Sequence, residues 1–460
     1  MNTLTPLKAP ISVNFETTQV CNLRCSFCFS NSATHHHKNP PLERVKRIID
    51  ALAEAEVFEI RWFGGEFTSL RGWQEAVAYA FDKGFFMAFV SNGTLMTRES
   101  ARFLSSCGVT GGAMSLHGPE KMHDQVVDVP GAFGKTIAGI RNCWEEDIGV
   151  TALFTPTQMN LHSLYDLARW LKENEVPITE IDIGRLCPSG EAVDGWDKRR
   201  LSLVDYRYLF QVMREVQRDF GLHAYMGDAF PLCALPYKDW GLVTGCWQGT
   251  GFGQISYTGE LKSCSILGGS YGNILEIPLT EIWTERLKIM RSLDYLPRQC
   301  RLCPHFCGGG CSASRAGVTH YAPDEFIPKP EEESVLTLAR RVPGLLNFYV
   351  RSTIDRWKTQ RGNGQNAKPL PPLSAKPRLN CQFRIRQDLD GFIGFFKNRG
   401  ILTFDETSAR IFQLIDGRRS VEDIIVAIAG VEPSLDGLIR ETVLTFLDSI
   451  NRGEFLTFSD

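Results

Sequence analysis

Long apolar runs, a signal-peptide start and an excess of one charge sign are all missing from this sequence. No stretch of about 18 uninterrupted apolar residues occurs, which excludes an ordinary transmembrane helix. The start, MNTLTPLKAPISVNFETT, lacks the basic and then apolar order of a secretory signal. The 50 Lys and Arg residues nearly balance the 53 Asp and Glu residues, giving a net charge of −3. We therefore expect a cytoplasmic protein that binds neither nucleic acid nor a membrane.

Cysteine, by contrast, is abundant. Fourteen cysteines would be unusual in a reducing compartment unless their thiolates hold metal. They form two close clusters and one wide pair, and the others are scattered singly. The length of 460 residues predicts two or three domains with separate cores, and no internal repeat is present.

Residues 12–186 alternate short apolar runs with amphipathic stretches, a pattern typical of parallel strands joined by crossover helices. Helices are predicted at 42–57 and, further on, at 203–220. Six right-handed units of this kind are expected to curl into a partial (β/α)6, TIM-like barrel over residues 10–190, with functional loops at the C-terminal ends of its strands. The six predicted strands are 12–18, 59–66, 86–93, 112–118, 151–157 and 180–186.

The first cysteine cluster follows the first predicted strand. Cys21, Cys25 and Cys28 have the spacing C-x3-C-x2-C. Three thiolates satisfy three irons of a cubane and leave the fourth iron open to a chelating small molecule, whereas structural zinc would need a fourth ligand. The triple histidine at 35–37 is one source of such a ligand, but a polar loop of this kind is more simply explained as solvated.

With Phe27 before its last cysteine, this motif resembles the signature of radical S-adenosylmethionine (SAM) enzymes. The resemblance implies a 4Fe–4S cluster that reductively cleaves SAM to a 5′-deoxyadenosyl radical, supplied with electrons by a flavodoxin or ferredoxin type of donor. The segment 115–136 resembles a family stretch with two departures, since His117 replaces the usual acid and Val127–Asp128 replaces Arg–Gly. Further positions that the resemblance assigns to SAM binding lie at the ends of the second, third and fourth strands: Gly64, Gly65, Glu66, Ser91, Asn92 and Ser115.

Each of these short motifs is also consistent with an ordinary turn. Their joint placement at the C-terminal ends of successive strands favours a shared functional site.

The second set of cysteines resembles the SPASM extension of peptide-modifying radical SAM enzymes, which implies two auxiliary 4Fe–4S clusters. Cys246 and Cys264 flank Gly259, and a later run has the spacing C-x2-C-x3-C-x3-C. That run departs from the family in its third spacing and in the absence of a last cysteine. By the resemblance, the first auxiliary cluster takes Cys246, Cys264 and Cys311, with Cys233 a candidate fourth ligand. The second takes Cys300, Cys303 and Cys307.

The fourth ligand of the second cluster is left open between Asp324, Glu325, His320 and an open iron. A zinc ribbon is the alternative to iron for the whole region. Cys187 follows the sixth predicted strand, where a thiol could return a hydrogen atom to a substrate radical or simply be buried. Cys107 and Cys143 are expected to be inert core residues.

The remaining chain divides into a connecting and cluster-bearing segment (191–330), a bridging helix and linker (331–378) and a C-terminal domain (379–460). In the last, three short strands precede helical stretches from Ser408, Ser420 and Ser434. This order resembles the PqqD-like, winged-helix peptide-recognition element, which pairs an extended leader peptide with its sheet edge. Acidic residues outnumber basic ones beyond residue 380, which disfavours DNA binding.

Together these features predict a radical SAM enzyme that modifies a ribosomally made precursor peptide by a crosslink, an epimerisation or an excision. Two alternatives remain at this point. One is a radical SAM enzyme that matures a folded protein or a small metabolite. The other is a non-enzymatic iron–sulfur redox or sensor protein, which would have no need of a SAM site.

Overall fold

The protein is described from a computed structural model, which divides into two compact units, residues 1–352 and 353–460. The residues that the structure describes are 7–32, 38–246, 248–292, 296, 298–301, 303, 307–315, 324–327, 373–389, 391–397, 400–429, 436–452 and 455–459. The predicted histidine loop (35–37), His320 and the predicted bridging helix lie outside them.

The first unit is built on a mostly parallel sheet, and six of its strands confirm the six predicted ones. Neighbours in sequence pair in parallel from the first strand to the sixth. Each strand ends two or three residues before its predicted end, because the chain there turns out of the sheet into the loops. The strands are β1 (Ser12–Glu16), β2 (Glu59–Phe63), β3 (Phe86–Ser91), β4 (Gly111–Ser115), β5 (Gly149–Phe154) and β6 (Ile178–Ile183).

Amphipathic helices connect these strands and bury one face each. In the first helix Val45, Ile48, Ile49 and Leu52 are fully buried, which is the i, i+3, i+4, i+7 spacing of one helical face. The six helices are α1 (Leu42–Glu54), α2 (Trp73–Asp82), α3 (Arg98–Ser106), α4 (Glu120–Val127), α5 (Ala132–Glu145) and α6 (Leu164–Glu173).

The sheet extends beyond the predicted six strands at both edges. After α7 (Trp196–Arg199) and α8 (Leu203–Phe220), β7 (His223–Met226) adds in parallel to β6. The predicted helix at 203–220 is confirmed, and a capping box between Ser202 and Asp205 fixes its start. At the other edge, β8 (Phe252–Ile255) pairs in parallel with β1, followed by antiparallel β9 (Glu260–Lys262) and β10 (Gly272–Asn273). The cysteine-rich segment thus contributes strands to the central sheet.

Short helical pieces follow β10. They are α9 (Leu279–Glu281), a π-helical turn (Ile282–Arg286), α10 (Ile289–Ser292) and α11 (Arg298–Arg301).

The second unit contains the predicted three strands followed by three helices. Antiparallel β12 (Phe383–Asp388), β13 (Gly391–Phe396) and β14 (Gly400–Phe404) form one sheet, and α12 (Glu406–Gln413), α13 (Val421–Ala429) and α14 (Asp436–Arg452) follow. Two strands were not predicted: β11 (Lys376–Leu379) pairs with β15 (Leu456–Ser459). Because β11 starts before residue 379, the predicted domain boundary falls inside a strand. Phe396, Phe404 and Phe412 lie at the centre of the core of this unit.

Within the described part of the chain, no helix is both long enough and apolar enough to cross a membrane.

Candidate functional site

The first cysteine loop leaves the sheet after β1 and is held against the end of α4. The backbone N–H of Arg24 donates to the carbonyl oxygen of Val127 at 3.0 Å. The N–H of Ser26 donates in the same way to Val126 at 3.3 Å. These two bonds fix the backbone of the loop between its cysteines.

Val127 and Asp128, which depart from the Arg–Gly of the related motif, have a local structural role. Val127 is fully buried and packs with Leu23 beneath Cys21 and Cys25. Asp128 ends α4 in the left-handed conformation, with φ +52°, where glycine is usually favoured. At the position of the usual arginine, this chain therefore has an apolar side chain that supports the cysteine loop.

The thiols of this loop lie in one another's electric field. Burial, followed by the charges of Glu66 and Cys28, raises the pKa of Cys21 to about 11, against hydrogen bonds that lower it. Burial, and then the charges of Cys28 and Cys21, raises the pKa of Cys25 well above its ordinary value. The raised pKa favours the protonated thiol at Cys21 and Cys25 when no cation is bound. Metal binding would therefore displace the protons of these two thiols.

Gly64 and Gly65 lie directly against the backbone that leads into the cysteine loop. A Cβ atom at Gly64 would lie 2.4 Å from the carbonyl oxygen of Thr18, and one at Gly65 would lie 2.6 Å from that of Val20. The N–H groups of Gly65 and Glu66 already donate to these two oxygens, at 2.7 and 2.8 Å. Glycine is thus required by packing at both positions, and the N–H groups of Gly65 and Glu66 are bonded within the protein.

The carboxylate of Glu66 is satisfied by protein donors. It is fully buried and accepts hydrogen bonds from the hydroxyl of Thr68 at 2.7 Å and from the N–H of Asn92, also at 2.7 Å. The hydroxyl of Ser91 lies 3.0 Å from both of its oxygens. Burial raises the pKa of Glu66, and these hydrogen bonds oppose that shift. Glu66 and Ser91 therefore join the ends of β2 and β3 and leave their side chains little capacity for a ligand.

Asn92 connects the turn after β3 to the cysteine loop. Its side-chain amide donates to Asn22 at 2.8 Å and approaches the sulfur of Cys21 at 3.8 Å. Its side-chain oxygen accepts from the N–H and the hydroxyl of Thr94, at 2.9 and 2.7 Å. Asn92 therefore acts on the first cysteine as a positioning residue.

Phe27, Ser115 and His117 lie near the C-terminal ends of the parallel strands. The rings of Phe27 and His117 meet edge to face with centroids 4.9 Å apart. Ser115, at the end of β4, is half-buried.

His117 and its neighbour His123 are held as neutral imidazoles. The Nδ1 atom of His117 accepts from the N–H of Thr155, and that of His123 accepts from the N–H of His117, both at 3.2 Å. Burial lowers the pKa of both rings, to about 4 for His123. The histidine that replaces the usual acid is therefore uncharged, and its Nδ1 already has a donor.

Comparison with known families identifies the domain to which these loops belong. Residues 15–171 match the model of the radical SAM superfamily, and this range contains the cysteine loop, the glycine turn and the turns after β3 and β4. The chain contains a radical SAM domain. It is an enzyme, as its relatives in this superfamily are.

Two curated relatives differ in what their names describe. The AdoMet-dependent heme synthase of Nitratidesulfovibrio vulgaris is 28% identical over 331 residues, covering 65% of this chain and 87% of the relative. The mycofactocin maturase MftC of Mycobacterium tuberculosis is 26% identical over 386 residues, covering 81% of this chain and 94% of the relative.

A solved structure shows a similar fold. The structure of Streptococcus suis SuiB bound to S-adenosylmethionine matches with a TM-score of 0.55 and 18% identity, covering 70% of this chain and 78% of SuiB. The first unit therefore has an α/β radical SAM fold with a mostly parallel central sheet.

The cysteine loop of the radical SAM domain fits an iron–sulfur cluster in the chemistry of its donors. Three thiols converge at the end of β1, and soft thiolates are the ligands of such clusters. Among the described residues, no three His, Cys, Asp or Glu side chains converge closely enough to hold one metal ion. A cluster, which spreads its thiolates over separate irons, does not need such a close convergence.

Two charged residues beyond the radical SAM motifs, Arg185 and Asp228, were missed by sequence reasoning. Arg185 follows β6 and is buried, with its guanidinium paired to the carboxylate of Asp324. The backbone N–H of Arg185 donates to Asp228, which follows β7, at 2.6 Å. Burial raises the pKa of Asp228. The only sequence signal for Arg185 and Asp228 was their position after strand ends, and β7 itself was not predicted.

The pair with Arg185 removes Asp324 from the candidate iron ligands. Asp324 is fully buried, and its carboxylate also accepts from the N–H groups of Cys311 and Phe326, at 2.8 and 3.0 Å. Of the other candidates, Glu325 is described and half-buried.

The cysteines of the extension fall into two neighbourhoods. Although Cys246 as a residue is exposed, burial of its thiol and the charge of Cys264 raise its pKa. Burial, and then the charge of Cys311, raises the pKa of Cys264 to about 11. Cys233 lies elsewhere. Its pKa is raised to about 12 by burial and then by the charges of the other neighbourhood, Cys307, Cys300 and Cys303.

Of the single cysteines, Cys107 in the cap of α3 and Cys143 in α5 are buried in the main core. Cys187 is also buried, but its sulfur lies 3.9 Å from that of Cys311.

Proposed function

We propose that this enzyme cleaves SAM reductively and uses the radical to modify a ribosomally made precursor peptide. The observation that carries the first half is the convergence of Cys21, Cys25 and Cys28 at the end of β1, within the radical SAM domain. The second half is supported by similar proteins, since one relative is named a mycofactocin maturase and SuiB has been crystallised with the precursor peptide SuiA.

The residues at the proposed site have separate roles in cluster binding, SAM binding and positioning. The three cysteines hold a 4Fe–4S cluster, which, when bound, supplies the electron that breaks SAM. The carbonyl oxygens of Gly64 and Gly65 accept hydrogen bonds from the amino group of SAM, since the N–H groups of Gly65 and Glu66 are already bonded within the protein. The half-buried hydroxyl of Ser115 is available to a polar group of the ligand. Glu66 and Asn92 hold these elements together as positioning residues.

We further propose that the cysteines of residues 233–311 hold two auxiliary 4Fe–4S clusters and that the reducing electron comes from a flavodoxin or ferredoxin type of protein. The two thiol neighbourhoods described above support two clusters in place of one.

The second unit is proposed to bind the leader segment of the precursor peptide. Its three-stranded sheet, in the order β12-β13-β14, has edge strands that an extended peptide could join by main-chain pairing. A tethered recognition unit of this kind would raise the local concentration of the substrate segment.

A small-molecule substrate is the second candidate function. It is favoured by the relative from Nitratidesulfovibrio vulgaris, which is slightly more identical to this chain than the mycofactocin maturase but matches a smaller share of it. A porphyrin would then replace the peptide as the hydrogen donor.

One experiment separates the two candidates. The reconstituted, reduced chain is incubated anaerobically with SAM and one of two substrates, a peptide encoded by a small neighbouring reading frame or an iron porphyrin. The masses of the products are then measured by mass spectrometry. We expect the peptide to change, for example by loss of two hydrogens, and its leaderless form to react much more slowly. A change in the porphyrin with an unchanged peptide would contradict the proposal.

A further inference from the structure

The loop that follows β6 connects the radical SAM cysteine loop to the cysteine-rich extension. The N–H of Glu191 donates to the carbonyl oxygen of Cys28 at 2.8 Å. A Cβ atom at Gly190 would lie 2.2 Å from the same oxygen, so the two loops touch through backbone. On its other side, the hydroxyl of Ser189 donates to the carbonyl oxygen of Ile266 at 3.2 Å. The loop therefore contacts both cysteine regions through neighbouring residues.

Cys187 lies in the first part of this loop, and its thiol lies next to a cysteine of the extension. Its sulfur lies 3.9 Å from the sulfur of Cys311 although 124 positions separate the two residues in the chain. Cys187, Leu267 and Ala313 form a small buried cluster, against which Cys264 and Cys311 pack. Three thiols from three distant segments therefore share one pocket.

The buried ion pair at the end of β6 holds this pocket in place. Arg185 precedes Cys187 by two residues, and its guanidinium pairs with Asp324. The same carboxylate accepts the N–H of Cys311 at 2.8 Å. The ring of Phe230 covers the guanidinium, whose central carbon lies 4.7 Å from the ring centroid. One ion pair thus bonds the backbone of Cys311 and anchors the chain two residues before Cys187.

We propose that Cys187 is the fourth thiolate ligand of an iron–sulfur cluster that it shares with Cys246, Cys264 and Cys311. As a consequence, Cys233 is the fourth ligand of the other cluster. Its partners there are Cys300, Cys303 and Cys307. This inference rests on the proposed function, because it takes from it that the extension binds iron.

Ligand chemistry supports this assignment over a hydrogen-donor role for Cys187. Four thiolates complete the ligand set of a 4Fe–4S cluster. Among the described residues, Cys187 is the cysteine that packs with Cys264 and Cys311 in one small buried cluster, so its thiol is placed to supply the fourth ligand.

Cys233 is left for the other cluster because Cys187 completes the first set. Its thiol lies close enough to Cys300, Cys303 and Cys307 to interact with their charges. The segment Leu232–Ala234 follows β7, so this thiol also comes from the edge of the central sheet.

The assignment is tested by removing thiols in two backgrounds. One background carries Cys246→Ala and Cys264→Ala, and the other carries Cys300→Ala and Cys303→Ala, so that each lacks one auxiliary site. Cys187→Ala and Cys233→Ala are introduced into each background. After anaerobic reconstitution, the full chain is exposed for a fixed time to a strong ferrous chelator, and the remaining iron and acid-labile sulfide are counted.

We expect Cys187→Ala to lower the remaining iron by about four atoms per chain in the Cys300→Ala/Cys303→Ala background only. Cys233→Ala should do so in the other background only. Cys143→Ala, which removes another buried thiol, should leave the iron content unchanged in both backgrounds. Cys187→Ser keeps a side chain of similar size, so iron loss in this variant as well would show that the missing sulfur is the cause.

Three results would overturn the inference: equal iron with and without Cys187 in both backgrounds, a Cys187–Cys311 disulfide in the loaded protein, or one zinc without sulfide at this site. Formation of 5′-deoxyadenosine is measured separately on the same samples. A chain that shows the expected iron pattern but never cleaves SAM would refute the proposed function and leave the ligand assignment standing.

Discussion

At the scale of single residues, the site depends on side chains that tie loops together as much as on those that would meet a ligand. Glu66 was predicted to bind SAM from its motif, whereas the structure surrounds its carboxylate with donors from Thr68, Ser91 and Asn92. A motif shows that a residue belongs to a site but not which of its atoms are already bonded. Cys187 shows the same limit, because its neighbour Cys311 is brought to it only by the fold.

Glu66→Gln is predicted to destabilise the protein and to weaken cluster retention. The amide has one acceptor oxygen where the carboxylate has two. Either the buried N–H of Asn92 loses its acceptor or the neighbouring donors must rearrange, which lowers the free energy of unfolding by about 1–3 kcal/mol. Urea unfolding of both proteins measures this cost. The control Glu75→Gln, at an exposed ion pair with Lys46, should change stability by less than about 0.5 kcal/mol. Equal stability of the Glu66→Gln variant and the parent would contradict the role given to this carboxylate.

At the scale of secondary structure, the sequence predicted the strands and helices that carry a repeating apolar pattern. β1 to β6 were found because each is a run of five or six residues with buried positions. β7 was missed because its four residues, HAYM, are too short to show a period. The strands β8 to β10 lie among glycines and cysteines, and the pairing of β8 with β1 is decided by tertiary contacts.

Gly65→Ala tests the contact between the turn after β2 and the cysteine loop. Its Cβ would lie 2.6 Å from the carbonyl oxygen of Val20, so the backbone that leads into the cysteine loop must shift and disturb the positions of the three thiols. We expect a folded chain that retains far less of the iron bound by Cys21, Cys25 and Cys28. That iron is measured in a chain whose auxiliary cysteines are replaced by alanine.

Gly134→Ala is the matched control for this substitution. Gly134 lies in α5 with no atom within 4 Å of a new Cβ, so alanine should be neutral or stabilising by up to about 1 kcal/mol. If both variants held the same iron as the parent, the close approach at Gly65 would have no bearing on the cluster.

At the scale of the whole molecule, the radical SAM domain and the cysteine-rich segment share one sheet, in the order β10-β9-β8-β1-β2 and onward to β7. The cysteine loop after β1 is therefore bordered on one side by the strands that lead into the extension and on the other by the glycine turn after β2. The sequence predicted the chemistry of both regions but treated them as consecutive domains. Their common sheet could not be read from the chain, because β1 and β8 lie far apart in sequence.

The central claim is that Cys21, Cys25 and Cys28 together hold the metal at which SAM is cleaved. The most direct test is the rate of 5′-deoxyadenosine formation by the reduced, anaerobically reconstituted chain, compared with a variant in which all three are alanine. We predict steady formation by the parent and a loss to the uncatalysed background in the variant, with the auxiliary iron retained. Formation of 5′-deoxyadenosine by the triple variant at the parental rate would contradict the account.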